Sequence, residues 1–449
     1  MLLTTAALGV GLLLFLIIKI RLQPFVALLV VSIAVGLASG LSVTQLFGTV
    51  QKSDVVPLLE AGMGGTLGHV AVIIGLGTML GSVLEASGGA QALAGRLLTL
   101  FGERRAPLAM GLTGVLFGIP VFFDVGIFVL APVVYATARR GGGSILRYAL
   151  PMLAGLSMTH AFLPPHPGPV AAAGLLHVDL GWVILMGALT GIPAVLAAWA
   201  YAAWIARRVH VPIPEGVPEA PEKPSEQPVP LAVLLTVIGT PLLLILLATF
   251  SSVTLPPGTA RSVLEFFGHP FVALTIALLL AYWLLGIRRG WSRASLEALS
   301  TASLKPVGNI LLVVGAGGIF GAVLKAGGVA QAVADLCDTA GLPVLVLAWL
   351  LSAALRVAQG SATVAIVTTA GIVSPVLAAG HPSQAHAALV IVAISAGSVF
   401  ASHVNDGGFW MVAKYFGIPE RDTLVSWTVL ESVLSVAGFG AAGVVSLVV

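Results

Sequence analysis

The chain has 449 residues, of which 58% are hydrophobic and 9% charged, against roughly 25% charged in an ordinary soluble domain. Apolar runs recur from Leu2 to Val449, which excludes a water-soluble globular protein and predicts an all-α polytopic membrane protein. The net charge of +3, from 21 basic and 18 acidic residues, fits loop topology rather than nucleic-acid binding, and the one cysteine, Cys337, excludes an intrachain disulfide or a thiolate metal cluster.

Met1 leads straight into the apolar run Leu2 to Ile20 with no positive leader segment, so the run reads as an anchored first helix. With the N-terminus placed outside, spans Leu2 to Ile20 and Phe25 to Leu41 enclose Lys19 and Arg21 on the cytoplasmic side. A third span near Gly64 to Leu84 returns inward and is followed by Arg96, Arg104 and Arg105. The stretch Ala106 to Ala138 has arginines at both ends and a break, GIPVFFDVG, in its middle. Each arm of about 14 residues makes roughly 21 Å of helix, too short for a hydrocarbon core of about 30 Å. A re-entrant hairpin, 106–138, opening inward is therefore expected. A helix over 145–177 goes out, interrupted by THAFLPPHPGP, and Trp182 to Ala206 comes back in.

The polar, proline-rich stretch 209–230 then reads as a cytoplasmic linker between two halves, 1–208 and 231–449. In the second half, spans Leu231 to Phe250, Phe271 to Ile287 and Val307 to Leu324 lead to a second hairpin, 342–380, opening outward. An interrupted helix, 387–416, and a last span, Leu424 to Val449, leave the C-terminus outside. The tally is about ten spanning helices, two hairpins and two broken helices. This orientation puts 17 of the 21 Lys and Arg inside; Lys52, Arg261 and Lys325 fall outside and Arg356 sits within a hairpin.

The halves repeat. Residues 75–94, GLGTMLGSVLEASGGAQALA, match residues 315–334, GAGGIFGAVLKAGGVAQAVA, at 11 of 20 positions, and Thr159-His160 lies over Ser402-His403. Hairpins opening to opposite sides make the repeats inverted, an arrangement found in secondary transporters, which bind substrate where broken helices meet near the midplane. Non-helical backbone at membrane depth lines a cavity or is buried in protein, so the four interruptions mark the site.

Asp124, in apolar surroundings at the first tip, is the candidate proton carrier, because burial penalises its charge; a nearby histidine is the alternative, since histidine titrates in the useful range. Arg356 either meets a substrate carboxylate or pairs with Asp124 across the halves. At the second tip Gln359, Gly360, Ser361 and Thr363 offer groups that bond a polyol or carboxylate, or simply cap a half-helix. Thr159, His160 and His166 at the first break, and His403, Asn405 and Asp406 at the second, complete the candidate substrate-binding set. Half-helices beginning at such breaks aim positive dipole ends at the gap, which suits an anion. Neither a metal site nor a cofactor is expected, and no enzyme motif such as HExxH is present.

The strings GMGGTLG from Gly62, LEASGGAQ from Leu84, THAFLPPHPGP from Thr159, GSATVA from Gly360 and SHVNDGGFW from Ser402 resemble the gluconate permease family of bacterial proton symporters, through the full chain except the linker. The resemblance implies uptake of gluconate or a related sugar acid with protons across the inner membrane. It also implies kinship with the broader ion-transporter superfamily, whose dimeric members move a hairpin-bearing domain against a scaffold like an elevator. Family members specialised for other aldonates, hexuronate-like acids or D-serine leave those substrates open. A sodium-coupled carboxylate symporter and an anion channel are the other readings.

Overall fold

The computed structural model of the protein describes residues 2–48, 56–213, 229–329, 332 and 343–449. Cys337, Lys52 and most of the linker 209–230 lie outside the described residues. Among the described residues every regular element is helical, as expected where backbone polar groups in lipid must be satisfied within their own segment.

Seven described helices are long and apolar enough to cross a membrane: Leu58–Ala86, Leu180–Ile205, Leu231–Thr254, Pro270–Arg289, Val307–Ala326, Ala362–Ala379 and Glu420–Val445. The sequence predicts about ten, and length accounts for the difference. Leu2–Ile18 and Pro24–Ala38 have only 17 and 15 residues, and two further helices are each split in two. Conversely Ala362–Ala379, read from sequence as a hairpin arm, has 18 residues and reaches spanning length by itself.

Local chemistry sets the ends of these elements. Leu58–Ala86 stops at Ser87, and the next residue, Gly88, takes the left-handed backbone. The chain then enters Gly89–Phe101, whose Ala90, Leu93, Ala94 and Leu97 are buried while Arg96 is exposed. That i, i+3, i+4, i+7 spacing lays one apolar stripe against the protein. The final span, Glu420–Val445, contains a π-helical turn at Leu424–Thr428.

Two pairs of helices meet at tight turns. Ala106–Gly118 and Phe123–Gly141 are joined through Ile119 to Phe122, and Val344–Gln359 and Ala362–Ala379 through Gly360 and Ser361. Each pair is followed by a split helix: Leu146–Phe162 with Pro167–Leu176, and Gln384–Val399 with Gly407–Tyr415. The first half of each split helix packs on the first member of the pair before it, at a glycine. A methyl group on Gly155 would lie 2.6 Å from the Val115 nitrogen, and one on Gly397 2.5 Å from the Trp349 carbonyl oxygen. Without a side chain the backbones approach directly, the usual route to close helix packing in lipid.

The helices carrying the strongest internal match also touch each other. Gly62 lies against Gly318 and Ala322, and Leu67 against Gly315, so Leu58–Ala86 and Val307–Ala326 run antiparallel along this contact.

Candidate functional site

The first tip is mostly apolar. Asp124 stands in the first turn of Phe123–Gly141, where the helix dipole favours a negative charge. The sequence suggests a carboxylate enclosed by apolar neighbours, but Asp124 is exposed. The reason is helical phase: Phe123 and Ile127 turn inward, while Asp124 shares the outer face with Phe128, which is 60% exposed.

The first break holds this tip in place. Pro164 and Pro165 remove backbone donors after Phe162, and the helix resumes at Pro167 with proline in its first turn. His166 is buried, and its Nε2 lies 2.6 Å from the carbonyl oxygen of Gly118, bridging break and tip. His160 and His166 rings sit edge to face at 4.7 Å, with Phe122 against both. Thr159 turns its hydroxyl back to the carbonyls of Gly155 and Leu156 at 3.0 and 3.1 Å, which removes it from the interruption's free polar groups. Behind this tip Pro120, Pro164 and Pro165 border an apolar space of only about 10 Å³, at most the size of one water. The polar chemistry is on the other side.

There the second tip and second break are knitted by charge. Gly360 has φ of +84°, a conformation other residues rarely adopt, and it abuts the carbonyl of Asn405 where a side chain would clash. Arg356 donates to the Gly360 carbonyl and to Asp406. Asp406 caps Gly407–Tyr415, accepting from the Gly408 nitrogen at 2.9 Å, and also accepts from the Ser402 hydroxyl. Ser402 in turn accepts from Trp427 Nε1 at 2.8 Å. Arg356 and Asp406 are 5% and 8% exposed, so each charge depends on the other for compensation. The alternative pairing of Arg356 with Asp124 is not the one formed; Asp406 is the ion-pair partner.

The remaining candidates surround this pair. Asn405 is exposed and donates to the Val357 carbonyl at 2.7 Å. His403 Nδ1 lies 2.8 Å from the Ala401 carbonyl oxygen. Ser361 caps Ala362–Ala379, and Thr363 sits half-buried in its first turn. Gln359 Nε2, Arg356 Nε and His160 Nδ1 are buried with no hydrogen-bond partner among the described residues.

The four interruptions converge. Phe123 of the first tip stacks on Trp427 at 5.5 Å and approaches Gly408 of the second break. Asp124 is within electrostatic reach of Asp406, and His160 of Arg356. Asp124, Val357 and Asn405 are each exposed, and Asn405 is bonded to Val357. Two larger crevices, of about 1570 and 560 Å³, lie elsewhere, the first lined by Glu85, Arg96 and Arg140 and the second by Arg147, Trp199 and Arg207. The ion pair lines neither.

Sequence reasoning missed Ser402, Trp427, Ser157 and Glu431. Ser402 opens the string SHVNDGG and was within reach of a motif reading. Glu431, 1% exposed, accepts from Ser157 at 2.8 Å and lies within electrostatic reach of Arg356 and Asp406. Its signal was a single acid in the apolar run WTVLESVLS, the kind of intramembrane charge that marks function.

An all-helical membrane chain with half-helices meeting around a buried ion pair has the architecture of a secondary transporter. Its fold is similar to that in the crystal structure of the Alcanivorax borkumensis YdaH transporter, with a TM-score of 0.66 at 14% identity, covering 94% of this chain and 98% of that one. Residues 1–448 match the family model described as GntP family permease, and the chain belongs to that family of permeases. Among its relatives are the inner membrane permease YgbN of Escherichia coli, 42% identical over 98% of this chain and 97% of that protein. The gluconate permease of Pseudomonas aeruginosa is 39% identical over 95% of this chain and 93% of its own length.

Proposed function

We propose that this permease takes up gluconate or a closely related sugar-acid anion in symport with protons across the bacterial inner membrane. The observation that carries the reading is the buried Arg356–Asp406 pair at the meeting of both tips and both breaks, in a chain whose relatives include a protein named gluconate permease. The substrate carboxylate competes with Asp406 for Arg356, whose Nε has no partner. Ser361, Thr363, Gln359 and the Gly360 backbone receive it from the second tip, and His403, Asn405 and Asp406 from the second break. His160 and His166 bound the site from the first break, with Thr159 behind them. The N-terminal ends of Ala362–Ala379 and Gly407–Tyr415 add positive dipole ends toward the anion.

Asp124, at the first tip and within electrostatic reach of the Asp406 carboxylate, takes the coupling proton, which offsets the substrate's charge during passage through a low dielectric. The helix pairs act as re-entrant hairpins of two inverted repeats; the antiparallel contact at Gly62 and Gly318 and the matching glycine contacts at Gly155 and Gly397 support this. Hairpins and broken helices form the moving part of an elevator, the long helices its scaffold, in a homodimer with both termini outside.

The test is uptake into proteoliposomes. Radiolabelled gluconate accumulates under an inward proton gradient, and Asp124→Asn lowers accumulation at least tenfold. Accumulation that follows sodium and ignores pH refutes proton symport; downhill flux without saturation makes the protein a channel.

A further inference from the structure

We propose that Glu431 is a second proton-binding carboxyl of this carrier, and that its proton is what allows an anion to occupy Arg356. The proposal rests on the reading of the chain as a proton-coupled anion carrier, and it concerns a residue outside the four interruptions.

Glu431 lies in the last span and is 1% exposed. One carboxyl oxygen accepts the Ser157 hydroxyl at 2.8 Å; the other, Oε1, is buried with no hydrogen-bond partner among the described residues. An ionised carboxylate so stripped of water, with a single neutral donor, is strongly disfavoured unless a cation compensates it. The cation within electrostatic reach is Arg356, and both its terminal nitrogens are engaged, one by Asp406 and one by the Gly360 carbonyl. Glu431 therefore holds a proton in this state.

Among the described residues the neighbouring groups add no other compensation. Leu146–Phe162, which supplies Ser157, also carries His160, Tyr148 and Arg147, the last at the far end of that helix. Leu180–Ile205 brings only Tyr201, whose hydroxyl is held by the Val425 carbonyl at 2.5 Å. Gln384–Val399 brings only His386, in its first turn. The charged groups acting on Glu431 are Arg356, which attracts its anion, and Asp406, which repels it.

With Arg356 and Asp406 cancelling, an arriving substrate carboxylate adds one negative charge. If Glu431 were ionised, three carboxylates would surround one guanidinium; with Glu431 protonated there are two. Anion and proton thus favour each other's binding, and linkage makes the effect reciprocal. The proton joins Glu431 from water on the loading side and returns to water on the releasing side, so no other reactant is required.

The experiment uses the full-length permease in proteoliposomes with gluconate as probe. In wild type, exchange of labelled for unlabelled gluconate weakens as pH rises. Glu431→Gln, which keeps the shape and the Ser157 contact, is expected to lower accumulation at least tenfold and to reduce that pH dependence to the part Asp124 supplies. Ser157→Ala removes the one donor to the ionised form, so exchange should persist to more alkaline pH than in wild type. A Glu431→Gln pH profile as steep as that of wild type, or an unmoved profile in Ser157→Ala, overturns the proposal. A wild type that does not exchange gluconate sinks the transport reading instead, so the two failures are distinct.

Discussion

The two interrupted regions are built on one packing plan and filled with different chemistry. In both, a split helix lies against the preceding helix pair at a glycine, Gly155 in the first half and Gly397 in the second, 242 residues apart. At the first tip the contacts are a histidine on a carbonyl, aromatic edges and prolines around a nearly filled apolar space. At the second they are an ion pair, a capped helix and a serine–tryptophan link. The two regions share a backbone contact that close packing enforces and differ in their side chains: one carries the buried charges, the other apolar and aromatic contacts beside them.

Breaking the charged half should have the largest effect. Arg356→Gln leaves Asp406 buried without its cation, which costs about 3–5 kcal/mol where a buried pair is cut on one side. Gluconate uptake should vanish and the melting temperature fall. The double variant Arg356→Gln with Asp406→Asn should recover most of the stability and none of the uptake; if it is as unstable as the single variant, the pair does not govern folding of this tip.

His166→Ala probes the other half. It deprives the Gly118 carbonyl of its partner and should cost about 1–3 kcal/mol, with a partial loss of uptake instead of an abolished one. An uptake defect as severe as that of Arg356→Gln would mean that the first tip recognises charge as well.

The smallest expected effect sharpens the shared plan. Gly155→Ala and Gly397→Ala each force a methyl group into opposing backbone and should cost about 1–3 kcal/mol apiece. Similar thermal shifts for the two are expected; a harmless substitution at either position would show that the glycine contacts are not equivalent.

Much of this was legible before any coordinates. Pro164 and Pro165 announce a helix end wherever they occur, and GSATV and SHVNDGG carry the small and capping residues that a restarted helix needs. What sequence withheld were properties fixed by distance in the chain and by phase. Arg356 finds its carboxylate 50 residues away at Asp406, a choice made by how the second tip docks on the second break. Asp124 has apolar neighbours along the chain yet faces outward, because flanking residues report composition and not the direction of a side chain. Glu431 is legible as a lone acid in an apolar helix, but its partner Ser157 lies in the other half, beyond the reach of any local motif.

The π-helical turn at Leu424–Thr428 has a consequence for how this permease can vary. One residue gained or lost in a helix rotates everything beyond it by about 100°. Trp427 lies within that turn and Glu431 just past it, so both are aimed inward only while the extra residue is retained. A homologue reverting to a regular α-helix there would swing its glutamate toward lipid, so insertion and acid are expected to be inherited, or discarded, as a unit.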